Sequence, residues 1–84
     1  MTDSSKDTPR DVRLTDLDVG DRATVVRLDE KLEMRLLGFG LFPTVAIEVR
    51  QTFPACIICC EDTEIALEKD VARRIIVRKV EREM

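Results

Sequence analysis

Histidine is absent from this chain, and so are tryptophan and tyrosine. The first absence removes the commonest general base and the commonest metal ligand together, so no Ser/His or Cys/His catalytic pair can be built. The other two, with a formal net charge of −3, leave neither stacking platforms nor a field that gathers phosphate backbones, and no nucleic-acid ligand is expected. Glycine is scarce: Gly20, Gly38 and Gly40 form neither familiar phosphate-cradling pattern. Serine is confined to Ser4 and Ser5 in a polar segment. No window approaches the ~18 apolar residues of a bilayer crossing, and Met1–Arg10 lacks the apolar stretch of a secretory signal. The expectation is a cytoplasmic protein with no membrane insertion.

Hydrophobic residues make up 44% of the 84-residue chain and charged residues 37%, a balance that folds in water. One domain fits in that length, with a core that must be economical, because such a chain buries only about 60% of its unfolded surface. Three cysteines cannot all pair within one chain, which fits a reducing compartment better than a disulfide scaffold. The basic run Arg73, Arg74, Arg78, Lys79 and Arg82 is interleaved by Glu81 and Glu83 and reads as a solvated face.

Residues 1–11 carry almost nothing apolar and read as a flexible N-terminal tail, residues 12–80 as the folded domain and 81–84 as a C-terminal tail. In the domain's opening, Thr15 can cap a short turn, Leu14, Leu17 and Val19 are its core anchors, and Gly20-Asp21 reverses the chain. Arg22 to Leu28 is a strand whose apolar parity shifts from Ala23 and Val25 to Val26 and Leu28, so a bulge or two buried faces is expected. Asp29 is a good N-cap, and Leu32, Leu36 and Leu37 recur at helical spacing until Gly38, giving one short helix over Glu30–Leu37. Val45 to Arg50 alternates as a strand with Val45, Ile47 and Val49 on one face. Phe53-Pro54-Ala55 breaks it. Cys56–Glu61 is the next strand, Asp62-Thr63 a tight hairpin into Glu64–Leu67, Glu68–Arg73 a single turn, and Arg74–Val80 a last strand. Short strands at turn-punctuated spacing give a mainly β domain, a small barrel or sandwich with one short helix.

Aspartates and glutamates fall at turns, caps and strand exteriors, where capping and solubility account for them, and so small a barrel offers little cleft for carboxylate catalysis. No enzyme is expected. The sharpest chemical feature is Cys56-Ile57-Ile58-Cys59-Cys60. A metal reading places iron or another transition metal such as zinc on Cys56, Cys59 and Cys60. Against it, residues three apart on a strand point to opposite faces, and without histidine a fourth ligand must be a carboxylate, solvent or a partner's residue. The plainer reading is cysteine as a small buried hydrophobe. If Glu61 faces water, alternation puts Ile57 and Cys59 outside and Cys56, Ile58 and Cys60 inside. The outward pair, with Phe39, Leu41, Phe42 and Phe53 from the flanking turns, is the expected partner-binding set, for docking or for self-association.

Leu36-Leu37-Gly38-Phe39-Gly40-Leu41-Phe42-Pro43 resembles the short helix and LGLxPG turn of the FeoA family. Leu14-Thr15-Asp16-Leu17 with Gly20 resembles that family's opening, and Thr63–Leu67 with Ala72 and Ile75-Ile76-Val77 its closing strands. Thr44 and Asp62 stand where the family usually has glycine, which leaves both loops free to differ in shape, and the cysteine cluster is not part of the pattern. The resemblance implies an SH3-like β-barrel. It further implies a non-enzymatic accessory role in ferrous iron transport, contacting the cytoplasmic part of a membrane GTPase transporter (FeoB). The same module resembles the C-terminal domain of iron-dependent repressors, but no helix-turn-helix precedes it here. The alternative is a transition-metal-binding or self-associating module built on Cys56, Cys59 and Cys60.

Overall fold

The computed structural model describes residues 11–80, which form six strands in a single antiparallel sheet of order β1-β6-β2-β3-β4-β5. The strands are β1 (Asp11–Arg13), β2 (Arg22–Leu28), β3 (Ala46–Gln51), β4 (Cys56–Cys60), β5 (Thr63–Leu67) and β6 (Ile75–Lys79). Helix α1 (Glu30–Leu37) joins β2 to β3, the one-turn helix α2 (Lys69–Ala72) joins β5 to β6, and a 3-10 turn, Leu14–Asp16, follows β1. The mainly β architecture with one short helix is as the sequence implies. No ladder is formed between the outer strands β1 and β5, so the barrel stays open along that line. No helix among the described residues is long and apolar enough to cross a membrane.

The parity shift in β2 resolves as a bulge. Val25 pairs with Val77 and Arg27 with Ile76, so Val26 is the extra residue and both Val25 and Leu28 reach the core. A second irregularity at Arg50, between Val49 and Gln51, bends β3 against β4. Asp29 accepts a hydrogen bond from the Lys31 amide at 2.9 Å and caps α1, while Glu30 and Glu33 complement its positive end. Gly38 keeps helical torsions. It is Gly40, at φ +90, that turns the chain, letting the Leu41 amide donate to the Leu36 carbonyl at 2.9 Å.

Leu14, Leu17, Val25, Leu32, Leu36, Leu41, Ile47, Val49, Ile58, Ile75 and Val77 share one core with Cys56 and Cys60. One expected anchor is not in it: Val19 lies 61% exposed, because the Gly20 turn (φ +95) carries it outward. Leu37 lies 55% exposed, on the helix face away from Leu32 and Leu36. The cap of the 3-10 turn is also not Thr15. Asp16 accepts from the Arg13 amide at 3.1 Å.

The Glu61-Asp62 pair, rather than Asp62-Thr63, makes the β4–β5 turn, with φ of +48 and +71 as a two-residue turn of the twist-matching type demands. Strand β1 is absent from the sequence-based expectation, which placed Asp11 in the tail. Asp11 pairs with Arg78, whose Nε reaches its carboxylate at 3.0 Å. Residues 1–10 and 81–84, the rest of the two expected tails, lie outside the described residues.

Candidate functional site

Strand β4 sorts the cysteine cluster by parity. Cys56, Ile58 and Cys60 point into the core, and Ile57 and Cys59 face outward, half-buried, as the alternation predicts. Burial raises the pKa of both inward thiols, and Glu61 and Cys59 push Cys60 further in the same direction, so both stay protonated near neutrality. Cys60 Sγ lies 3.8 Å from the Gly40 carbonyl, a weak contact fastening the β4–β5 hairpin to the turn after α1. The three thiols therefore do not converge, and among the described residues no group of three or more Cys, Asp or Glu side chains is arranged to hold a metal ion.

The outward stripe on β4 is narrow. Register puts Ile57 between Gln51 and Ala66, and Cys59 between Glu48 and Glu64, so carboxylates flank the thiol on both sides. Arg50 lies beside it, and its guanidinium is held above the ordinary arginine range first by Cys59 and then by the Glu48 carboxylate.

The aromatic residues divide between the two ends of β4, which lie ~13 Å apart for four strand steps. Phe53 stands at the Cys56 end, 74% exposed, with the Lys69 ammonium 4.9 Å from its ring centroid. With Leu14, Thr15, Thr52, Cys56 and Lys69 it borders a cavity of about 230 Å³. Phe39 and Phe42 stand at the Cys60 end, 57% and 42% exposed, and with Val45, Cys60, Glu61 and Thr63 border one of about 210 Å³.

Phe39 and Phe42 are thus brought together, and Phe53 is separated from them. Leu41, expected on the partner-binding surface, is fully buried and is a core residue. Its amide is tied back to Leu36, which turns the side chain inward. Sequence reasoning missed Met34 and Leu37, exposed at 81% and 55%. They lie three apart on α1 and share the face that Leu32 and Leu36 do not use. A wheel drawn from the Asp29 cap at ~100° per residue separates the two pairs. Met34 and Leu37 on α1, and Phe39 and Phe42 in the turn that follows it, are all exposed apolar side chains, and of these Phe39 and Phe42 border one cavity.

The described members of the basic run are spent locally, and Arg82 lies outside the described residues. Arg73 pairs with Asp70, Arg74 with Asp70 and Asp29 at 3.6 and 3.9 Å, Arg78 with Asp11 at 3.0 Å and Lys79 with Asp21 at 3.6 Å.

The family model for the FeoA domain matches residues 12–79. Among solved structures, an iron uptake regulatory protein (FeoA) superposes with a TM-score of 0.77 at 30% identity, over 84% of this chain and 99% of its own. Iron(II) transport protein A of Clostridium thermocellum gives 0.74 at 30% identity, over 82% of this chain and 46% of that one. IdeR of T. acidophilum gives 0.77 at 23% identity, over 83% of this chain and 34% of that one, a likeness of fold alone. The chain therefore spans under half the length of two of the three. No curated protein sequence matches it. The likeness assigns the SH3-like fold that the sequence resemblance implies.

Proposed function

The chain belongs to the FeoA domain family, and on that premise we propose that it is a non-enzymatic accessory protein of ferrous iron transport. It acts on the cytoplasmic side by contact with a membrane GTPase transporter of the FeoB type. The relatives described above as an iron uptake regulator and an iron(II) transport protein support the pathway.

The observation that carries the reading is the pair of exposed phenylalanines, Phe39 and Phe42, that border one cavity beside the turn after α1. Burying a large apolar side chain contributes about 1.5–3 kcal/mol, so two phenylalanines alone can anchor a specific contact. Titration of the transporter's cytoplasmic domain without nucleotide, with GDP and with a GTP analogue tests it. Saturable binding in at least one state is expected, weakened about tenfold or more by the double substitution Phe39→Ala and Phe42→Ala. No binding in any state overturns the function, and unchanged binding by the double variant overturns the assignment of the surface.

A further inference from the structure

The two margins of the sheet are built differently. Strand β1 is a three-residue edge carrying Asp11 and Arg13, short and charged as protected edges are. Strand β5 is five residues long, contains no proline, lysine or bulge, and pairs with β4 in unbroken register from Thr63 to Leu67. Residues flanking a two-residue turn exchange both backbone hydrogen bonds, so Thr63, Ile65 and Leu67 spend theirs on Cys60, Ile58 and Cys56. The N–H and C=O groups of Glu64 and Ala66 consequently point away from β4, and no turn or loop backbone among the described residues bonds them.

We propose that β5 is a self-pairing edge, on which a second copy of this chain lays its own β5 antiparallel about a two-fold axis through Ile65. The charges select that register. Centring the pair on Glu64 sets Glu64 opposite itself, and centring it on Ala66 sets Glu64 opposite Glu68 of the second copy, both like-charge pairs. Centring on Ile65 sets each Glu64 against an Ala66, the two residues whose backbone groups bond no other backbone group among the described residues. Four backbone hydrogen bonds form, with no like charges directly opposed. The proposal does not rest on the transporter reading: it uses the backbone edge of Glu64 and Ala66 rather than the side chains of Phe39 and Phe42, although Thr63 at the start of β5 also borders their cavity.

Ala66 is exposed, so substitutions there leave the fold intact and act on the pairing alone. In the proposed register Ala66→Lys creates two Glu–Lys pairs across the axis, and Ala66→Glu creates two Glu–Glu pairs. Sedimentation equilibrium of the full chain, in reductant and from micromolar to millimolar concentration, is expected to show a reversible dimer. Its dissociation constant should be tightened by Ala66→Lys and loosened by Ala66→Glu, about tenfold apart and converging in high salt. Hydrogen exchange at the Glu64 and Ala66 amides should slow as concentration rises. A particle that stays monomeric at millimolar concentration overturns the proposal and leaves the edge to an extended segment of another protein. A dimer that responds equally to both substitutions overturns it too, by placing the interface elsewhere.

Discussion

Thr44 holds a backbone φ of +81, a region where a β-branched side chain crowds its own carbonyl. The resemblance to a pattern with glycine at this position left room for a loop of a different shape, yet the chain keeps the glycine-like backbone and bears the strain. Thr44→Gly is therefore expected to stabilise the domain by up to about 1 kcal/mol, the relief exceeding the added unfolded-state entropy, as read from the urea midpoint. The thiols make two further predictions. With native protein and a small alkylating reagent, Cys59 should label first, and Cys56 and Cys60 only on unfolding, because only Cys59 is partly exposed. Burial also raises the pKa of Cys56 and Cys60 in the folded state, so that state keeps protons which the unfolded chain releases near pH ~8.5. Stability from this source is intact below that pH and is lost as pH rises above it. Thermal melts from neutrality to pH ~10 should show a fall that is shallower in a Cys56→Ala variant.

Helix α1 and strand β2 lie at the residues the sequence indicates because both are locally determined, one by the Asp29 cap and leucine spacing, the other by β-branched content. Asp29→Ala should accordingly cost about 1 kcal/mol in urea unfolding, most of it the lost Lys31 hydrogen bond, since the Arg74 pair at 3.9 Å is long and exposed. Features with no local signal of their own were not legible. Strand β1 is three residues with no alternation of its own and exists because β6 offers it a ladder and Arg78 a charge for Asp11. The hairpin turn fell one residue early for a similar reason: a positive φ at Glu61 is imposed by β4–β5 register, whereas Glu by itself gives no such signal. The outward setting of Ile57 and Cys59 was legible, since it needs only strand parity. The spacing of Leu32, Leu36 and Leu37 gave the helix but not which of them is buried, because the direction of the core is set by where α1 lies on the sheet.

For the molecule as a whole, the proposed function asks the turn after α1 to serve both stability and contact, and the structure separates buried from exposed apolar side chains there between neighbouring residues. Leu41 enters the core while Phe39 and Phe42 remain at the surface, a split produced by Gly40 and the Leu41–Leu36 hydrogen bond. A domain of this size has only about 5–10 kcal/mol of total stability, and truncating a buried leucine to alanine costs about 2–5 kcal/mol. Leu41→Ala should thus remove a large share of the fold's stability, and Leu41→Val, which leaves a smaller cavity, about 1 kcal/mol. Phe39→Ala at an exposed site should move the urea midpoint by no more than about 0.5 kcal/mol. In binding to the transporter domain the order should reverse, with Leu41→Val close to the parent chain and Phe39→Ala impaired. Measuring both quantities on the same variants separates the roles. A Leu41→Val protein with its stability intact and its binding lost would place Leu41 at the contact and remove the division of labour that the fold of this turn creates.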